Sequence, residues 1–188
     1  MALAETFSHI WDCLRDATHA QSPLNTVQLA TLGLDGSPNV RTVLLREANE
    51  RASTLCIHTD IRSIKVAELK ADPRVAIVAM DAHRGLQIRT RGIAGATPGD
   101  TNAWQSSGDR NLVQYRTTLP PGTPVDTPRD ALAGAREKRG PADGLEHFCV
   151  VAVRLTEIDW LDLSVGEKPV RARYIMRDGA WDGTWTVP

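Results

Sequence analysis

Short apolar runs bounded by turn-forming residues dominate the pattern of this chain and predict β-strands. Residues 26–32 and 39–46 flank Asp35-Gly36, a dipeptide that strongly favours a hairpin turn. Asp178-Gly179 separates the last two runs in the same way. Strands joined mostly by hairpins predict a mainly β fold with flanking helices, arranged as an antiparallel barrel. The other runs lie at 54–59, 74–80, 86–92, 148–155, 157–163, 170–177 and 181–187.

Two segments before residue 75 carry helical signals. An N-terminal amphipathic helix is predicted over about 6–19, with its aromatic stripe in the core. A second helix is predicted over 64–71, because Ser63 is a good N-cap and Pro73 is a good stop. The apolar positions that define the first helix are Phe7, Ile10, Trp11 and Leu14.

Residues 100–141 differ in composition from the rest of the chain and predict an insertion into the barrel. A helix is predicted over about 102–116 and another over about 129–139. Between them, the prolines of residues 119–128 forbid regular structure. The chain is interpreted as a single domain, 1–188, with an N-terminal helix and this helical, proline-rich insertion.

Composition excludes several functional classes. With 188 residues, 41% of them hydrophobic, the chain can bury one good core. A net charge of −1 without a clustered basic face argues against a nucleic-acid-binding protein. No apolar run reaches membrane-spanning length and the N-terminus lacks a signal-peptide pattern, so we expect a cytoplasmic protein with no membrane partner.

Metal and redox motifs are also absent from the sequence. Cys13, Cys56 and Cys149 are far apart and embedded in apolar segments, which predicts free, buried thiols. The five histidines show no metal-ligand spacing, so no metal site is expected. No G-x-G-x-x-G or Walker-type loop occurs, which argues against a Rossmann or P-loop nucleotide site.

The start of the helix at 64–71 is the most informative candidate site. A helix N-terminus with a capping hydroxyl at Ser63 and a lysine at Lys65 is a natural seat for a phosphate. Arginines at both ends of the strand 39–46 could contribute charge. However, Arg41 and Arg46 are five positions apart, so a regular strand would point them to opposite faces unless a bulge intervenes.

The order of several short motifs resembles that of the pyridoxamine 5′-phosphate oxidase-like FMN-binding split barrels. The resemblance covers about residues 25–97 and 147–188, and the joint order of the motifs makes it specific. The motifs are R-T-V-L-L-R, I-H-T-D-I-R-S-I-K, A-D-P-R-V-A-I, G-L-Q-I-R-T-R-G, D-W-L-D-L, R-A-R-Y and W-x-x-x-W-x-V-P.

This resemblance implies FMN as cofactor and a homodimer with sites at the subunit interface. The late tryptophan and arginine of the family commonly face the FMN that the other subunit mainly holds. A solvated barrel face for Gln87 and Arg173, and simple core packing for Trp160, remain the alternatives. The implied cofactor residues are Arg41, Thr42, Val43, Leu44, Arg46, His58, Thr59, Ser63, Lys65, Gln87, Trp160 and Arg173.

Departures from the family pattern concern the substrate. Pro169 and Arg171 stand where true oxidases have an Arg-x-His pair, and Ile64 replaces an arginine. The implied substrate contacts are Arg46, Trp104 and Arg171.

The leading hypothesis is an FMN-dependent oxidoreductase that moves a hydride between a small substrate and flavin N5. The sequence leaves the substrate, the electron partner and the division of contacts between subunits open. The rivals are a non-catalytic barrel that holds FMN or haem as a sensor or carrier, and a structural barrel with an empty pocket.

Overall fold

The computed structural model describes residues 2–132, 135, 140–164 and 168–188, and its main feature is one antiparallel sheet. In the described chain the sheet has eight strands in the order β3-β2-β1-β4-β5-β6-β7-β8. An additional β3–β6 pairing closes six of them into a barrel, while β7 and β8 extend beyond the closure. The strands are β1 Thr26–Leu32, β2 Pro38–Asn49, β3 Thr54–Asp60, β4 Arg74–Asp81, β5 Leu86–Pro98, β6 Phe148–Asp162, β7 Val170–Arg177 and β8 Ala180–Thr186.

The prediction of an antiparallel split barrel is confirmed. Both predicted hairpins are present, and Asp178 and Gly179 adopt positive φ values of 50° and 82°, as a tight hairpin turn requires. The runs 148–155 and 157–163 form one continuous strand, β6, because β5 pairs along almost its whole length. Thr156 separates the two runs, and it is the unpaired residue at the register shift opposite Arg91 and Gly92.

The helices flank the barrel, and the described residues 102–116 of the insertion are less helical than predicted. The helix predicted over 102–116 is broken at Ser107 and Gly108, whose backbones are extended. Of the helix predicted over 129–139, the structure describes a 3₁₀ turn at Asp130–Leu132, and residues 133, 134 and 136–139 lie outside the described residues. The α-helices are α1 Leu3–Asp16, α2 Ile64–Ala71, α3 Thr101–Ser106 and α4 Asp109–Leu112, and further 3₁₀ turns lie at Val113–Arg116 and Leu145–His147.

The core fills the barrel and the space under α1. Ile10 and Trp11 of α1 are fully buried, as the helical stripe predicts. The three cysteines are buried and free. None of the helices in the described part of the chain has the length and hydrophobicity that a membrane span requires.

A buried ion pair attaches α2 to β1 and β2. The Glu68 side chain, 1% exposed, accepts hydrogen bonds from Thr31 Oγ1 at 2.7 Å, Asn39 Nδ2 at 2.7 Å and Arg41 Nη2 at 2.6 Å. Burial alone would raise the pKa of Glu68, but the hydrogen bonds from Thr31 and Asn39 and the charge of Arg41 lower it. Arg41 also donates to Thr31 Oγ1, so its guanidinium is committed to this cluster.

Removing Arg41 should therefore destabilise the fold strongly. In Arg41→Ala, the Glu68 carboxylate stays buried without its cation, which costs about 3 kcal/mol or more of unfolding free energy. Urea denaturation followed by circular dichroism measures this change.

Arg15→Ala is the matched control, because Arg15 pairs with Asp12 and Glu50 on the surface at 47% exposure. This substitution should lower the free energy of unfolding far less than Arg41→Ala does, because water screens an exposed ion pair. Equal losses in the two variants would contradict the structural role assigned to the Arg41–Glu68 pair.

Candidate functional site

A cavity of about 270 Å³ lies between β2, β3, the N-terminal end of α2 and the insertion. It collects polar side chains from four separate parts of the chain, as small-molecule sites commonly do. Its lining residues are Thr42, Val43, Leu44, Arg46, His58, Thr59, Asp60, Lys65, Gln114, Tyr115 and Pro121.

A bulge in β2 explains how Arg46 reaches this cavity. Leu45 pairs with Ile57 and Glu47 pairs with Cys56, so Arg46 is the extra residue of the pair β2–β3. Bulges redirect side chains in this way near binding sites. Arg41 is not among the lining residues, because its guanidinium is bound to the Glu68 cluster.

The predicted phosphate seat lies at one end of the cavity. Lys65 Nζ donates to Thr59 Oγ1 at 2.9 Å, and no carboxylate among the described residues lies within salt-bridge distance of Lys65. Burial and then the nearby charge of Arg41 lower the pKa of Lys65. An anionic ligand would relieve both effects, which makes Lys65 a strong phosphate contact.

Ser63 occupies the N-cap position of α2 but does not cap it with its side chain. Its hydroxyl instead donates to the Asp60 carbonyl at 2.7 Å and lies 3.4 Å from Thr59 Oγ1. Ser63 therefore shapes the turn from β3 into α2, and it is not among the residues that line the cavity.

Two titratable side chains that line the cavity, His58 and Tyr115, are neutral. Burial, and then the charge of Arg46, lower the pKa of His58 to about 4. Burial raises the pKa of Tyr115 to about 12. At neutral pH, His58 is uncharged and Tyr115 keeps its proton, so the positive charge of the cavity comes from Arg46 and Lys65.

Comparison with known protein families identifies the fold and its cofactor. Residues 8–97 match the family model "Pyridoxamine 5′-phosphate oxidase, FMN-binding domain". The matched segment runs from α1 into β5. The cofactor of the matched domain is FMN.

Relatives and solved structures agree with this match. Pyridoxine/pyridoxamine 5′-phosphate oxidase 2 of Arabidopsis thaliana is 28% identical over 171 residues, which is 85% of this chain and 83% of that protein. Pyridoxine/pyridoxamine 5′-phosphate oxidase of Thermosynechococcus vestitus is 42% identical over 80 residues, but the match spans 37% of its length. A pyridoxamine 5′-phosphate oxidase-related, FMN-binding protein of Nostoc punctiforme superposes over the whole of both chains with a TM-score of 0.83 at 24% identity, which shows the shared fold.

The residues of the cavity fit an FMN-binding protein of this family. Lys65 and Thr59 offer a cation and a hydroxyl to a phosphate, at the N-terminal end of the eight-residue helix α2. Strand β2 presents Thr42, Val43 and Leu44 in succession. Since neighbouring residues of a strand point to opposite faces, the strand must offer its backbone as well as its side chains to the cavity.

Three residues that the family resemblance assigns lie on the outer face of the sheet. Arg173 Nε and Nη2 donate to Glu157 at 2.9 and 3.0 Å, and Arg171 binds Asp159 in the same bidentate manner. Gln87 is half-buried beside Met80 of β4. None of these three side chains lines the cavity of its own chain.

The strand register shows how far Arg173 lies from the cavity. One row of the sheet runs from Thr42 through Gln28, Val78, Arg89 and Asp159 to Arg173. Five strand spacings make a path of roughly 24 Å along the sheet. Arg173 thus lies at the opposite end of this row from Thr42 and does not line the cavity of its own chain.

The two predicted tryptophans pack in hydrophobic cores. Trp160 is fully buried, with its ring 5.3 Å from that of His9, so the alternative of core packing is the one observed. Trp104 is 3% exposed and donates its indole N–H to the Pro141 carbonyl at 2.8 Å. Neither ring reaches the cavity, because both face the interior of the fold.

Four lining residues were not predicted as site residues: Asp60, Gln114, Tyr115 and Pro121. Asp60 lies within the I-H-T-D-I-R-S-I-K motif, so the motif itself offered a signal. Gln114, Tyr115 and Pro121 come from the insertion, whose described residues form no strand pairing with β2 or β3. Their approach to β2 and β3 depends on tertiary contacts alone.

The depressed pKa of His58 predicts acid-dependent stability. The unfolded chain protonates this histidine near its ordinary value of 6.5, whereas the folded chain resists protonation until about pH 4. The unfolded state then binds more protons, so His58 reduces stability progressively as pH falls from 6.5 to 4. His58→Asn should unfold less steeply with acid than the native protein in thermal melts across this window.

His83→Asn is the matched control, because His83 is exposed in the turn after β4. Its melting profile should follow that of the native protein. If His58→Asn also follows the native profile, burial does not keep His58 neutral.

Proposed function

We propose that this protein is an FMN-dependent oxidoreductase of the split-barrel family that acts on a small molecule. The observation that carries the proposal is the partly buried Lys65 ammonium, which faces the cavity beside Thr59 without a carboxylate partner among the described residues. A partly desolvated cation without a partner is unfavourable, and a phosphate supplies the missing charge. FMN, when bound, supplies hydride transfer to or from a substrate.

The side chains of the cavity would orient the reactants and exclude water. Arg46 carries a charge that an anionic substrate group can meet, and Tyr115 holds a proton that it can donate in a hydrogen bond. His58 is a weak base, since its pKa is about 4. Catalysis then depends on positioning and not on a strong general base of the protein.

A homodimer is part of the proposal. A second copy laid against the outer sheet face could bring its Arg173 and Gln87 toward a cavity that a single chain leaves open. Exposed apolar residues on that face support such contact, with Val40 64%, Leu44 39% and Met80 51% exposed. The rows of the sheet place these residues on the same side as Gln87. Large exposed apolar side chains grouped on one face are typical of protein interfaces.

A non-catalytic FMN-binding protein is the second candidate. True oxidases contact the substrate with an Arg-x-His pair, and Arg171 stands at one of those two positions. Here its Nε and Nη2 lie 3.0 and 2.9 Å from the Asp159 carboxylate. Burial would raise the pKa of Asp159, but the hydrogen bonds from Arg171 and Arg89 lower it, so the carboxylate holds both arginines. Arg171 is thus engaged within its own chain, which favours cofactor binding without oxidation of a B6 vitamer.

Lys65→Met should weaken FMN binding about 10- to 100-fold. The substitution removes one charge-assisted hydrogen bond to the phosphate, worth about 1.5–3 kcal/mol, while it keeps an aliphatic stem. Quenching of flavin fluorescence during titration of the apoprotein measures the dissociation constant.

Riboflavin and a second lysine provide the controls. Riboflavin lacks the phosphate, so its affinity should change little in Lys65→Met. Lys70→Met alters an exposed lysine on the same helix and should leave FMN affinity unchanged. An unaltered FMN affinity in Lys65→Met would remove the phosphate assignment.

The dimer proposal predicts a particle of twice the 20.5 kDa chain mass in light scattering. Met80→Glu places a charge within the exposed apolar face and should shift the particle toward the monomer. Leu34→Glu alters an apolar residue of similar exposure in the β1–β2 turn and should leave the mass unchanged. A native monomer at micromolar concentration would refute the dimer.

A further inference from the structure

One wall of the cavity is formed by residues 113–123, here called the strap. Gln114, Tyr115 and Pro121 of the strap line the cavity directly. The Tyr115 ring packs against Trp104 and Phe148, at centroid distances of 6.0 and 5.1 Å. The first part of the strap is thus anchored in a small aromatic cluster.

Arg62 joins the strap to the opposite wall. Its Nη1 donates to the carbonyls of Thr117 at 3.0 Å and Thr118 at 3.3 Å. Its Nη2 also lies 3.3 Å from Thr117 Oγ1. The Arg62 side chain is 17% exposed, so these contacts are largely shielded from water.

The other partner of Arg62 belongs to the turn between β3 and α2. Nε and Nη2 of Arg62 donate to the Asp60 carboxylate at 3.0 and 2.7 Å. Asp60 lines the cavity, and its carbonyl accepts the Ser63 hydroxyl at 2.7 Å. Residues 60–63 lead directly into Lys65, so Arg62 contacts both the phosphate end of the cavity and the strap.

Charge and shape suit Arg62 to this bridging role. Asp60 neutralises the guanidinium, which leaves Lys65 as the cation aimed at a phosphate. The planar fork of arginine serves a carboxylate on one edge and carbonyls on another, whereas a lysine ammonium lacks this geometry.

We propose that Arg62 is a positioning residue that couples the occupancy of the phosphate turn to closure of the strap. The inference rests on the proposed FMN function, because it takes the flavin phosphate as the ligand of the turn. Because the guanidinium holds the carbonyls of Thr117 and Thr118, a phosphate that orders residues 60–65 would keep the strap closed over the cavity. A flavin without a phosphate fills the cavity but leaves this coupling unused.

Hydrogen exchange of the strap tests the coupling in the intact protein. Native protein is compared without flavin, with saturating FMN and with saturating riboflavin. We expect FMN to slow exchange of the strap amides about tenfold more than riboflavin does. Equal protection by the two flavins would overturn the proposal without any variant.

Arg62→Lys keeps the charge beside Asp60 but removes the fork. We expect it to retain FMN binding within about threefold, while FMN and riboflavin now protect the strap equally. Arg110→Lys, the same exchange at an exposed arginine of α4, should behave as the native protein does. A phosphate-dependent protection that persists in Arg62→Lys would refute the role of Arg62.

The flavin-free samples separate this proposal from the proposed function. If the native protein binds no FMN, the proposed FMN function fails. Hydrogen exchange of the flavin-free samples still tests Arg62 in that case. Faster exchange of the strap in Arg62→Lys than in the native protein would support the role of Arg62 in holding the strap. Equal exchange in these two flavin-free samples would overturn the positioning role itself.

Discussion

A carboxylate buried inside a protein must be paired, and here that constraint orients the whole site. Glu68 is almost inaccessible to water and is matched by Arg41, Thr31 and Asn39. Because Glu68 lies one helical turn after Lys65, the contacts that neutralise it also fix the direction in which Lys65 points. Arg41, which does not face the cavity, therefore helps to orient Lys65, which does.

Local pattern was sufficient for the strands, the hairpins and the end of the cavity where Lys65 lies. Lys65, Thr59 and His58 lie where the motif around residues 58–65 predicts, since turn, strand end and helix start are adjacent in the chain. Arg46 also lines the cavity, but by means of a bulge that depends on the register between β2 and β3. A sequence does not reveal such a register, because it is set by pairing between distant segments.

The other residues whose positions the sequence did not predict also depend on contacts between distant segments of the chain. Trp160 packs in the core against His9 of α1, a segment far away in the chain. Tyr115 and Pro121 reach the cavity only because the insertion folds back over β3. The residues near Arg173 lie far along the sheet, and single-chain periodicity carries no information on what a second molecule would contribute.

Burial of the three thiols has a consequence for chemical durability. Burial raises the pKa values of Cys13 and Cys149, and raises that of Cys56 to about 11. Hydrogen peroxide attacks the thiolate and not the thiol. Reduced flavins generate peroxide when they meet dioxygen, so a protein that holds a flavin is exposed to an oxidant formed next to its own side chains. Protonated, inaccessible cysteines therefore offer few thiolate targets to this oxidant.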